Sequence, residues 1–133
     1  MSHALNESTI QHVIERAQAL AREQHFAINI AVVDEAGLLR GFLRMDDAVP
    51  GAIDVSIKKA RTAALFRTDS LELGAAAQPG GAIYTLEATN GGLISFGGGV
   101  VLRDEDRVIG AVGVAGATVE VDQAIALHAA SRA

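Results

Sequence analysis

The sequence predicts one α/β (α+β) domain in three layers, five mostly antiparallel strands flanked by helices. Three observations predict it. The chain has 133 residues, the length of a single domain. Half of them are hydrophobic but only 4% are aromatic, with no Trp, so one core must be built from Ala, Val, Ile and Leu. Short apolar runs suited to strands alternate with segments of helical periodicity. The order is helix, hairpin, helix, short helix and loop, three strands, helix, which places helices on a sheet. No linker, repeat or low-complexity tract divides the chain, so residues 1–133 read as one domain.

Residues 8–24 carry Ile10, Val13, Ile14, Ala17, Leu20 and Ala21 at three- and four-residue intervals, one apolar stripe. Ser8 and Gln11 have the spacing of a capping box. Residues 27–33 form an almost continuous apolar run, a central strand. A turn over 34–37, with Gly37 to supply positive φ, leads into a second strand at 38–45. Pro50-Gly51 breaks the chain. A helix over 52–66 places Ile53, Ile57, Ala60 and Ala64 on one face. Thr68 is positioned to cap a short helix at 69–77. Residues 78–92, with Pro79-Gly80-Gly81 and Asn90-Gly91-Gly92, read as an ordered loop. Strands follow at 93–96 and 100–102 across Gly97-Gly98-Gly99, then a charged turn at 103–107 and a last strand at 108–114. Thr118 caps a final helix, with Glu120 and Asp122 in its first turn and Val121, Ala124, Ile125 and Ala129 facing inward.

Composition excludes several functions. A formal net charge of −5 argues against nucleic acid and against an anionic membrane surface. With no Cys there is no disulfide framework, thiolate nucleophile or Cys-ligated metal. No stretch approaches the roughly 18 apolar residues of a spanning helix. Met1 to Glu7 carries no signal-peptide pattern, so the expected location is cytoplasmic.

Four segments occur in register: Asn29-Ile30-Ala31-Val32-Val33-Asp34, Arg44-Met45-Asp46, Lys59-Ala60-Arg61-Thr62-Ala63-Ala64, and Val108-Ile109-Gly110-Ala111-Val112-Gly113-Val114. Together they resemble the GlcG-like family, which includes the haem-binding protein HbpS and the C-terminal domain of the adenosyltransferase PduO. The resemblance covers roughly residues 8–130. It implies a profilin-like fold, assembly into dimers or larger homo-oligomers, and haem or another tetrapyrrole as the ligand class. The chain departs from the family where Gly-Val-Ser-Gly-Gly is common: it reads Gly113-Val114-Ala115-Gly116-Ala117. It also has Val100-Val101 where a Pro often follows the glycine-rich turn. Both changes make the loop mouth more apolar and leave room for a greasier ligand.

Lys59 falls between the apolar face of its helix and the flank, within reach of a cleft. A desolvated Lys acts as acid, base or anion anchor; the plain alternative is a surface Lys paired to an acid. Lys58 is read as that plain case, paired with Asp54 at i, i+4. Arg44 and Asp46 end a strand beside the Pro50-Gly51 break, where they line a pocket and grip a carboxylate, or pair with each other to fix the loop. Asp122 either donates a proton beside an apolar pocket or complements a helix dipole, and Glu120 does the latter. Of the histidines, His3 lies in a tail, His25 follows a helix end and His12 is on a polar side. His128 is on an apolar face, a packed imidazole, with iron ligand or general base as alternatives. No spacing suits zinc, and no metal site is predicted. The five glycines of residues 90–99 let backbone approach a ligand, with Asn90, Gly91, Gly98 and Gly99 as contacts, or they serve only as turns. Gly110, Gly113 and Gly116 do not make a dinucleotide fingerprint and read as close helix–sheet packing.

Two functions follow. One is an oligomeric module that binds haem, a related tetrapyrrole or another hydrophobic small molecule. The other is a cofactor-independent lyase or isomerase acting on a hydrophobic catabolic intermediate, with Lys59, Asp122 and His128 as its reacting groups. A scaffold protein without a ligand is the third.

Overall fold

A computed structural model of the chain describes residues 5–131; His3 lies outside them. The elements are α1 (Glu7–Glu23), β1 (Asn29–Asp34), β2 (Leu39–Arg44), α2 (Gly51–Phe66), α3 (Ser70–Ala77), β3 (Gly99–Asp104), β4 (Arg107–Ala115) and α4 (Val119–Ala130), with a 3-10 turn at Leu86–Ala88. The strands form one antiparallel sheet in the order β2-β1-β4-β3. The predicted 27–45 hairpin is β1 and β2. Its turn is held by Asp34, whose carboxylate accepts from Ala36 N at 2.9 Å and Leu38 N at 3.0 Å, with Gly37 at φ 79.

Strand alternation sorts the core into two layers. Ile28, Ile30, Val32, Val112 and Val114 face α1 and α4, meeting Ile10, Val13, Ala17, Ile125 and Ala129. Ala31, Val33 and Ala111 face α2, meeting Ala60, Ala63 and Ala64. The α2 layer is built from small side chains because the helix lies very near the sheet. A Cβ on Gly113 would collide with the Ser56 carbonyl of α2. That is the packing role expected for this glycine.

Three local expectations are corrected. The N-cap of α1 is Asn6, whose side chain accepts from Thr9 N at 2.8 Å, so Ser8 lies inside the first turn. The N-cap of α3 is Asp69, not Thr68. Among the described residues the sheet has four strands, and 93–96 is not a fifth. The backbone of that segment bonds elsewhere: Leu93 N donates to Glu87 O, Ile94 N to Thr62 Oγ1 and Ser95 N to Glu87 Oε2. The outer edge of β3 is covered by the start of α3 instead. Gly99 N donates to Ser70 Oγ at 2.9 Å and Val101 N to Asp69 Oδ1 at 3.0 Å. Two outward donors of an edge strand are thereby satisfied without another strand.

Candidate functional site

Lys59 is completely buried, an uncommon position for an ammonium group. Its backbone lies on α2, and its side chain passes the end of β3 toward α4. Nζ donates to Val114 O at 2.8 Å and to Asp122 Oδ2 at 3.2 Å. It also lies 5.0 Å from the centroid of the Phe96 ring, a cation–π contact. Asp122 is placed by the first turn of α4, which Thr118 caps through Val121 N. Its other oxygen accepts from Ala117 N at 3.0 Å. Side-chain exposure is 0% for Lys59 and 4% for Asp122.

Burial lowers the Lys59 pKa, and the Asp122 charge and hydrogen bond only partly offset it. Burial also raises the Asp122 pKa against the opposing effects of Lys59 and the backbone donors of Ala117 and Gly116. Burial thus disfavours the charged form of each group, while their mutual attraction favours the ion pair. The 3.2 Å hydrogen bond places the two groups within proton-transfer distance.

The pair forms the floor of a cleft of about 350 Å³ between the N-terminal ends of α2 and α4. Val49, Ala52, Val55, Phe96 and Val119 supply apolar walls. Asn29 steadies the rim by donating to Val49 O at 3.3 Å.

Of the residues singled out from the sequence, the fold brings Lys59, Asp122, Gly98 and Gly99 together. The two glycines accommodate Lys59 itself. Gly98 has φ 126, and a Cβ there would lie 2.6 Å from Lys59 Nζ, while one on Gly99 would collide with the Lys59 carbonyl. Asn90 and Gly91 stand apart from the cleft; Arg61 donates to Asn90 O at 3.2 Å, and open space surrounds the Gly91 Cβ position. Arg44 and Asp46 line a separate groove. The Arg44 guanidinium donates to Ala48 O at 3.1 and 3.3 Å.

His128 is exposed, contrary to the expected buried face. The buried stripe of α4 runs Asp122, Ile125, Ala126, Ala129, and His128 falls about 100° off the last of these. Lys58 is the surface pair expected, 3.2 Å from Asp54.

Two residues at the site escaped the sequence reading. Phe96 was assigned to a strand, and Gln123 was passed over although it adjoins Asp122. The Gln123 carboxamide accepts from Gly98 N at 2.7 Å and pins the glycine turn over Lys59. A polar residue beside the first-turn acid of α4, facing a glycine run, was the available signal.

The donor chemistry suited to haem lies outside the cleft. The described histidines, His12, His25 and His128, are all exposed, and none lines the Lys59 cleft. His25 lines the groove of Arg44 and Asp46, about 570 Å³ in volume, together with Arg22, Phe26 and Met45. An imidazole and a thioether are haem-iron donors, and guanidiniums match carboxylates. These residues fit the group.

Comparison with known proteins agrees with the fold. The chain is 40% identical over 113 residues to an uncharacterized 15.0 kDa protein of Citrobacter freundii from the dhaT-dhaS intergenic region, covering 84% of this chain and 80% of that one. It is 35% identical over 110 residues to protein GlcG of Escherichia coli K12, covering 83% and 80%. The crystal structure of a PduOC:heme complex superposes with a TM-score of 0.92 at 32% identity, covering 96% of this chain and 94% of that chain. The family described as haem degrading protein HbpS-like matches residues 5–131, and this chain belongs to it.

Proposed function

We propose that this protein binds haem or a related tetrapyrrole, as a homo-oligomer, in the groove between the end of α1 and the end of β2. The observation that carries the reading is the convergence of His25, Met45, Arg22 and Arg44 on one groove. Its context is a family with a haem-bound structural relative. Haem, when bound, supplies a redox-active iron. The chain's part is to hold it: His25 offers a ring nitrogen, Phe26 and Met45 offer apolar contact, and the two guanidiniums neutralise carboxylates. Arg44 is already braced against Ala48 O, so less side-chain freedom is lost on binding. Oligomerisation is supported by Leu38 and Leu39, 65% and 51% exposed at the start of edge strand β2.

Haemin titration followed by absorbance tests the assignment. The wild type is expected to develop a saturable Soret band, His25→Ala to lose it or bind at least about tenfold more weakly, and His128→Leu to behave as wild type. No saturable band, or unchanged binding in His25→Ala, contradicts it.

A second reading is favoured by the buried Lys59–Asp122 pair beneath apolar walls. A cleft of this size and lining suits a small hydrophobic molecule, and two proton-exchanging groups suit a cofactor-independent lyase or isomerase. His128, exposed and away from the cleft, drops out of that mechanism.

A further inference from the structure

Among the described residues, Lys59 and Asp122 supply the only charges lining the cleft. Phe96, 43% exposed, shows one side to solvent while its ring covers Lys59 Nζ. Three glycines follow it in the chain, Gly97-Gly98-Gly99. We propose that Lys59 Nζ forms an imine with a small uncharged aldehyde or ketone that enters this cleft as the Phe96 ring moves aside. The inference rests on the reading of the cleft as a ligand site and names the chemistry it performs.

The geometry supplies both reagents. The ammonium first gives a proton to the Asp122 carboxylate, 3.2 Å away, with burial acting against the charged form of each group. The free amine attacks the carbonyl carbon. A nitrogen–carbon bond forms, and the π electrons move to oxygen, which takes the proton from Asp122. Nitrogen returns one of its protons to the carboxylate. Asp122 then protonates the hydroxyl, which leaves as water. The product is a protonated imine opposite an ionised Asp122, so charge is conserved from the starting ion pair. No oxidant, reductant or metal is required. A desolvated amine beside a proton carrier is the usual form of an imine-forming lysine. Selectivity for uncharged carbonyl compounds follows from the lining: a ligand carboxylate would face Asp122, and among the described residues no second cation lies there to receive it.

The sequence makes the test direct, because the chain has only two lysines, adjacent in α2. Lys58 is partly exposed, paired with Asp54, and serves as an internal control. The folded protein is incubated with isobutyraldehyde and cyanoborohydride, and adducts are located by fragment-ion mass spectrometry. Lys59 is expected to be alkylated at least about tenfold faster than Lys58 despite its burial. In urea the two should react alike. Lys58→Arg should keep the adduct, and Asp122→Asn, where circular dichroism shows it folded, should form it about a hundredfold more slowly. Adduct confined to Lys58 and the amino terminus overturns the proposal, as does equal reaction of both lysines in the folded state. Isobutanol, the same shape without a carbonyl, separates the two layers of the argument. A thermal shift with isobutanol but no Lys59 adduct sinks the imine and leaves the cleft as a binding site. Neither shift nor adduct sinks both.

Discussion

At the scale of single residues, the Lys59–Asp122 pair governs how stability depends on pH. Removing one partner leaves the other buried alone, which costs about 3–5 kcal/mol, and the two truncations should respond to pH in opposite directions. In Lys59→Met, Asp122 loses the neighbour that lowers its pKa, so burial raises it further above 3.8. The folded state then holds a proton that the unfolded state has released. Stability is highest below the ordinary carboxylate value and is lost as pH rises through the folded one. In Asp122→Asn, Lys59 loses the neighbour that raises its pKa, so burial depresses it further below 10.5. Here the unfolded state holds the extra proton, and stability recovers as pH rises toward 10.5. Urea denaturation of both variants across pH checks this. Parallel profiles would show that the two groups do not carry the buried charge.

Among elements, the edge of β3 shows where sequence reading succeeded and where it stopped. Hydrophobic periodicity located α1, α2, α4 and the strands of the sheet, because each packs apolar residues against the other layer; α3 buries only Ser70, and a capping position marked it instead. It misassigned 93–96, because a short apolar run looks the same whether its backbone bonds to a strand or to side chains. Thr62, 32 residues away, and the nearby Glu87 are what hold that segment. Asp69 and Ser70 end the sheet in place of a strand. Asp69→Ala should therefore destabilise the protein by about 1–2 kcal/mol by leaving Val101 N unpaired, with faster amide exchange at Val101. Unchanged exchange there would mean that β3 does not depend on this cap. His128 is misplaced by a related limit: Ala-rich α4 has apolar residues on most sides, and the inward face read from the sequence took in Ala124, which is exposed, in place of Ala126.

For the whole molecule, the expected site residues fall into separate places. Lys59, Asp122, Gly98 and Gly99 were each legible as candidates, but not as one group, because their meeting depends on α2, the glycine turn and α4 converging in space. That Arg44 and Asp46 open onto another groove was not legible, since it depends on the end of α1 lying beside β2. His25 and Met45 gain meaning only from that contact. At the level of assembly, sedimentation velocity should show a dimer or larger species at micromolar concentration, and Leu39→Lys on edge strand β2 should shift it toward monomer. A wild type that stays monomeric contradicts the assembly reading.

The groove proposed for haem and the cleft over the buried lysine are different places on one domain. Native mass spectrometry of the protein equilibrated with haemin tests most directly which of them takes haem, using the wild type, His25→Ala, and Val55→Trp to fill the Lys59 cleft. Wild type and Val55→Trp are each expected to retain a single haem per protomer, and His25→Ala to retain none. Loss of haem from Val55→Trp with full retention by His25→Ala would place the ligand over Lys59 and contradict the proposed groove.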